Sequence, residues 1–261
     1  MKKFSEHRRS AGNLATRLSL AMSRLPQIQI MQVYSHTQIH AEELAGCLNA
    51  VACDDPTQIR TDADLYLFSL KDTALEGIAA SIPANGGLWI HTAGSMPMEL
   101  FANYTKRYGV LYPLQTFSKQ REVDFASIPL FLECKQEADC PILEGLAREL
   151  SNDVRFLSSE LRRHLHLAAV FACNFTNHMY VLAGQILRDT GIPEDVLLPL
   201  MDETAAKVHR MPAKEAQTGP AIRYDENVIR KHLDLLAEMN RPEMSAVYQL
   251  LSQSIHQYSK K

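Results

Sequence analysis

Hydrophobic positions change their period near residue 158, and the chain divides there. Before that point, short β-branched, aromatic and aliphatic runs alternate with segments of helical spacing. Residues 12–25 (GNLATRLSLAMSRL) place Leu14, Leu18, Ala21, Met22 and Leu25 on one helical face, with Gly12-Asn13 as the entry turn and Pro26 as the stop. IQIMQVYS (28–35) predicts a strand and AEELAGCLNA (41–50) a short helix. DLYLFSL (64–70) is almost continuously apolar, the pattern of a strand buried on both faces in the middle of a parallel sheet. The rhythm continues with a helix over 73–82, a strand in GGLWIHTAGS (86–95), a helix over PMELFANYTKR (97–107) and strands at 108–114 and 128–134. A helix over 141–151 and a short strand at 154–157 complete it. This alternation predicts βαβ units and an α/β, doubly wound, mostly parallel sheet of Rossmann type.

After residue 157 the strands stop. Residues 158–191 predict one long helix closed by Gly191, followed by helices over 193–210, 224–239 and 242–257. The expected organisation is a dinucleotide-binding domain over 1–157 and an all-α C-terminal domain over 158–261. The apolar positions of 158–191 are too many for one stripe, which predicts burial from more than one side and a homodimer through the helical domain.

Composition narrows the partners. A net charge of -3 leaves no electrostatic footprint for nucleic acid or an anionic membrane. Apolar residues are 46% and charged residues 22%, which fits a globular protein and not a disordered one. Cys47, Cys53, Cys134, Cys140 and Cys173 form no CxxC pair, so neither a zinc site nor a disulfide framework is expected. No run has the ~18 apolar residues of a membrane helix. The opening MKKFSEHRRS is basic but lacks the apolar stretch of a signal peptide, so cytoplasm is the expected location.

In an open α/β sheet the ligand sits beyond the carboxyl ends of the strands. The loops there supply the candidate cofactor residues. Gly12, Asn13, Leu14 and Ala15 open a helix whose free amides and positive end suit a pyrophosphate, although a Gly-Asn helix start is also ordinary capping. Ser35, His36 and Thr37 follow the second expected strand. A dinucleotide there would be NADP, because no acid is present to hold the ribose 2′-hydroxyl; a plain polar turn is the alternative. Ser69, Leu70 and Lys71, and His91, Thr92, Ala93 and Gly94, form the next two such loops.

SAGNLATRL, YSHT, SLKD, HTAGSMPMELF, YGVLYPLQTFSKQREVDF, HLAAVFACNFTNHMYVLAGQIL and QTGPAIRYDENVIRKHL occur in this order. Together they resemble the Rossmann-like oxidoreductases with a helical C-terminal domain of unassigned function. Those are relatives of pyrroline-5-carboxylate reductase and of deazaflavin-dependent NADP oxidoreductases. The resemblance runs from Ser10 almost to the end, and implies an NADP-binding fold and a dimer through the helical domain. It departs at the front, where the family has an apolar strand entering Gly-Ala-Gly-Asn and this chain has KKFSEHRRS before Ala11. Glu6, His7, Arg8 and Arg9 carry a heavy desolvation penalty between two helix layers, so an impaired first strand and cofactor loop are expected.

On the long helix, His166, Asn174 and His178 are the candidate catalytic residues. At about 100° per residue, Asn174 and His178 fall about 40° apart and His166 and Asn174 about 80° apart, so one face presents all three. Histidine suits a general acid near neutral pH and an asparagine amide can hold a carbonyl. Hydrogen bonding within a helix bundle explains the same residues structurally. No carboxylate joins that face, so no metal is expected. Thr116, Ser118, Lys119, Gln120 and Arg121, and Thr218, Gly219, Pro220, Arg223 and Asp225, could shape a substrate pocket; a turn and a helix cap explain the second group equally well. Two functions are expected from these features. One is an NADP-dependent oxidoreductase for a small imine, ketone or hydroxyacid; the other is a non-catalytic dinucleotide-binding or scaffold protein.

Overall fold

The computed structural model describes residues 12–118, 121–188 and 190–260. Residues 3–10, where the altered first strand is expected, lie outside them, as do Lys119 and Gln120. The chain forms two compact units, 1–174 and 175–261.

In the first unit the order is α1 (Asn13–Met22), β1 (Gln32–Tyr34), α2 (Gln38–Leu48), β2 (Val51–Cys53), β3 (Leu65–Phe68), α3 (Asp72–Ser81), β4 (Leu88–His91), β5 (Tyr108–Pro113), β6 (Leu130–Cys134), α4 (Cys140–Leu150), β7 (Val154–Phe156) and α5 (Ser159–Ala169). Strands β1 and β2 pair in parallel, and β3-β4-β5-β6-β7 form a second sheet. Among the described strands only β5 and β6 run antiparallel. The α/β fold with a mostly parallel sheet is therefore present.

Alternation along the strands builds two cores, one per sheet face. Leu88, Ile90, Leu111, Leu130 and Leu132 pack with Leu18 of α1 and Leu143, Leu146 and Leu150 of α4. Trp89, Val110, Tyr112 and Phe131 point the other way, into a cluster with Leu75 of α3 and Phe101. Each such buried side chain contributes about 1.5–3 kcal/mol of transfer free energy.

Three expectations change. Residues 64–70 are not buried continuously: β3 pairs in parallel with β4 and buries every second residue, while β4 and β5 are buried along their whole length. Residues 97–107 form only a 3-10 turn, Met98–Phe101, because its two inward residues are both buried within a single turn. The strand Val51–Cys53 was not anticipated; it is three residues long and only Cys53 is buried, too little for an alternating pattern.

The long helix is real but not uniform. A π-helical stretch, Val170–Phe175, separates α5 from α6 (Thr176–Arg188). Bonding from i to i+5 widens the turn to roughly 80° per residue. Gly191, at φ 75, follows the helix as anticipated. The second unit continues through α7 (Leu198–Val208), α8 (Ala213–Ala216), α9 (Pro220–Arg223), α10 (Glu226–Glu238) and α11 (Pro242–Ser259). Asp225 caps α10 through the amide of Val228, the structural one of the two readings of that residue. No described helix is long and apolar enough to cross a membrane.

Candidate active site

The carboxyl ends of β4 and β5 and the start of α1 converge in the first unit. Asn13 donates its side-chain amide to the carbonyl of Phe117 (2.9 Å), and Arg17 donates to that of Ser118 (3.3 Å). These bonds tie the opening of α1 to the segment that follows β5. Gly12 is the N-cap residue and gives no side-chain cap, so the first-turn amides keep their donor capacity. A methyl group built at Gly12 would meet nothing within 4 Å among the described residues. The charge of this helix start suits an anion such as a pyrophosphate.

The other expected cofactor loops occupy the positions foreseen for them. Ser35, His36 and Thr37 connect β1 to α2; Ser35 is buried, accepting from the Thr37 amide, while His36 is exposed. With no acid between residues 35 and 37, this loop fits a 2′-phosphate better than a bare ribose. Ser69 and Leu70 lead from β3 to Lys71, the N-cap of α3. Beyond it, Asp72 accepts a very short hydrogen bond from Ser95, which joins this loop to the one after β4.

His91 ends β4 fully buried, edge-on to Phe101 at 5.6 Å. Its Nδ1 accepts from the amide of Ala93 at 3.2 Å. Burial first, and then the Arg162 charge, lower its pKa to about 4, so the ring is neutral and supports the loop from beneath. Thr92 is buried beside it, and the loop continues through half-buried Ala93 to buried Gly94.

Gly94 meets the catalytic candidate. A methyl group built on Gly94 would lie 2.5 Å from Nδ1 of His166 and 3.0 Å from Cε2 of Tyr112. The backbone of this loop thus approaches both rings as closely as a glycine permits. Tyr112 and His166 are hydrogen-bonded, Oη to Nδ1, at 3.0 Å, with their rings edge-to-face at 6.0 Å. Burial raises the pKa of the Tyr112 phenol, and the Arg162 charge partly opposes that shift.

A buried ion pair sets where His166 stands. Arg162 is completely buried and donates to Glu133 Oε2 (2.6 Å), to the carbonyl of Met96 (2.5 Å) and to Ser159 Oγ (3.0 Å). The Glu133 carboxylate also accepts from the backbone amide and hydroxyl of Ser159, at 2.8 and 2.6 Å. Ser159 Oγ in turn accepts from the amide of Met98 (2.9 Å). β6, the start of α5 and the segment after β4 are thereby locked together. His166 follows Arg162 by one helical turn and shares its face.

Of the three catalytic candidates, only His166 is placed against another site residue. Asn174 lies in the π stretch, exposed. The wider turn removes most of its angular offset from His166, but eight residues still separate them by roughly 12 Å along the axis. His178 is exposed on α6. Thr116, Ser118 and Arg121 line a shallow pocket with Asp124 and Ser127, and Thr218 and Gly219 precede α9, with Gly219 at φ 103. Sequence reasoning missed Tyr112, Glu133, Ser159 and Arg162. The one available signal was Arg162 itself, a cation within the apolar repeat LRRHLHL.

Comparison with known proteins follows the same lines. Residues 128–255 match a family model described as a domain of unknown function, DUF2520. A candidate NADP oxidoreductase from Bacteroides fragilis is 51% identical, with 95% of this chain and 96% of that one covered and a TM-score of 0.87. A Thermotoga maritima protein is 20% identical over 94% and 96% of the two chains, with a TM-score of 0.75. An imine reductase from Myxococcus stipitatus, solved with NADP+, is 16% identical over 95% and 93%, with a TM-score of 0.65. The last two show likeness of fold. No curated protein sequence matches the chain.

Proposed function

Because the chain belongs to the family of Rossmann-type NADP oxidoreductases that carry a C-terminal DUF2520 domain, we propose that it reduces a small imine, ketone or 2-oxo acid (or oxidises the corresponding hydroxyacid) with NADP(H). The observation that carries this reading is the contact of the Gly94 loop with the Tyr112–His166 pair. It joins a loop at the carboxyl end of the sheet, where a dinucleotide is expected, to a titratable pair able to manage a proton.

When bound, the nicotinamide supplies the hydride; the chain supplies position and the proton. The α1 amides at Gly12 to Ala15 would hold the pyrophosphate, and His36 with Ser35 and Thr37 the 2′-phosphate. The loops at Ser69–Lys71 and Thr92–Gly94 would line the path of the dinucleotide across the sheet edge. His166 faces the reacting heteroatom as proton donor. Asn174 and His178 are the candidates for orienting the substrate.

Titration calorimetry with NADPH and NADH, together with NADPH turnover against a panel of methylpyrroline, cyclohexanone and pyruvate, tests the proposal. NADPH should bind more tightly than NADH and be consumed with at least one substrate class. Equal affinities would defeat the cofactor assignment, and binding without turnover would leave a dinucleotide-binding scaffold.

The chain is further proposed to be a homodimer through its helical region. Phe175, Val181, Leu198, Leu200, Leu250 and Leu251 are all exposed in the single chain, more apolar surface than a small helical unit leaves in water. Sedimentation at micromolar concentration should give twice the chain mass.

A further inference from the structure

We propose that Tyr112 and His166 form a two-step relay, in which the proton added to the substrate heteroatom originates on the Tyr112 phenol and passes through the imidazole. This rests on the oxidoreductase reading above and extends the site to Tyr112. The phenolic oxygen lies 3.0 Å from Nδ1 of His166, and Tyr112 is 7% exposed. No other hydrogen-bond partner of the phenol exists among the described residues.

That isolation decides the direction of the bond. If Nδ1 carried the hydrogen, the phenolic hydrogen would be a buried donor without an acceptor, which folded proteins avoid. The phenol therefore donates and Nδ1 accepts. The neutral imidazole then carries its own hydrogen on Nε2. Nε2 has no partner among the described residues, and His166 is only half-buried, so this hydrogen is free to meet a substrate.

The step balances as follows. The substrate carbon gains a hydride from the reduced cofactor, and negative charge collects on its nitrogen or oxygen. The Nε2–H bond breaks and the proton bonds to that atom. In the same event the Tyr112 O–H bond breaks and an Nδ1–H bond forms, so the imidazole never becomes an anion. The charge is left as a tyrosinate; after product leaves, Nε2 takes a proton from water and the Nδ1 proton returns to the phenolate oxygen, which restores the starting state.

The surroundings suit that outcome. Burial disfavours the tyrosinate, but the Arg162 charge pulls in the opposite direction. Arg162 is held in place by Glu133, and His91 beside it is neutral. Tyr112 acts through His166 and is thus a positioning and relay residue.

The first measurement needs no substrate. Nitrogen-15 NMR of the full chain, with His166 assigned by comparison with His166→Asn, should show Nδ1 unprotonated and Nε2 protonated. In Tyr112→Phe, which keeps the ring, that preference should relax toward a mixture. A wild-type Nδ1–H tautomer overturns the relay and leaves the oxidoreductase reading standing. The second measurement uses NADPH with whichever of methylpyrroline, cyclohexanone or pyruvate turns over. Tyr112→Phe should lower kcat roughly 100-fold, the size of a general acid contribution, with KM within about twofold. The proton inventory in mixed light and heavy water should change from curved to linear. An unchanged kcat overturns the relay even if the tautomer is as stated. No turnover of any probe ends the oxidoreductase reading and the relay with it.

Discussion

In the α/β unit, β4 and β5 are buried from end to end and aromatic rings pack around Trp89, with Phe68 tilted at 5.1 Å and Phe101 edge-on at 5.6 Å. In the unit from Phe175 onward, the buried apolar side chains are Ala221, Ile229, Leu236 and Met244, while Leu200 and Leu250 stand 63% and 67% exposed. A sheet has two faces that its own helices can cover, so one chain completes that core. Helices with apolar residues on several sides need further surfaces, and one short helical unit does not provide them. Ordering costs about 1–2 kcal/mol per residue for the backbone alone, more than so few buried side chains offset. The first unit thus completes its core within one chain, whereas the second leaves exposed the apolar side chains that the proposed dimer would cover.

Four experiments sharpen or break this contrast. The largest effect is expected from Arg162→Ala, which leaves the partly buried Glu133 carboxylate without its cation. It should cost about 3–5 kcal/mol in chemical denaturation, and a loss below about 1 kcal/mol would mean that the lock between β6 and α5 is dispensable. Next comes pH. His91 is neutral when folded, with a pKa of about 4, against about 6.5 in the unfolded chain. Between those values the unfolded state binds the extra proton, so stability is full above about pH 6.5 and falls as the pH drops toward 4. The loss approaches about 3 kcal/mol for this group. His91→Phe should flatten that part of the stability profile, and an identical slope would assign it to other groups.

A smaller change tests the helical unit from within. Asp225→Ala removes the cap on α10 and should cost about 1 kcal/mol, with the loss confined to hydrogen-exchange protection of α10 and its neighbours. The smallest change in intrinsic stability should come from Leu250→Ser, within about 0.5 kcal/mol for so exposed a side chain. Its effect should appear instead in sedimentation, as a weaker dimer. A dimer of unchanged strength would show that α11 is not part of the interface.

The periodic signals in the chain were sufficient for the class of fold and for most of its elements. Leu88, Ile90, Leu130 and Leu132 alternate with Trp89 and Phe131, and that period of two exists before any folding. The loops at Gly12, Ser35, Ser69 and His91 were legible for the same reason, since each follows an expected strand in a fold that binds ligands at strand ends. Periodicity is a local property, however, and several features are not local. Met98 and Phe101 are three residues apart, a spacing shared by an α-helix and a 3-10 turn, so a helix was expected where a turn exists. Nothing in VFACNF marks the π stretch. The half-burial of β3 depends on what packs over each of its faces, which adjacent residues do not encode. Tyr112 and His166 are 54 positions apart, on a strand and a helix that each look complete alone. The Arg162–Glu133 pair and the close approach allowed by Gly94 hold them together. Hydrophobic pattern specifies which face of an element is inward, and packing specifies which inward faces meet.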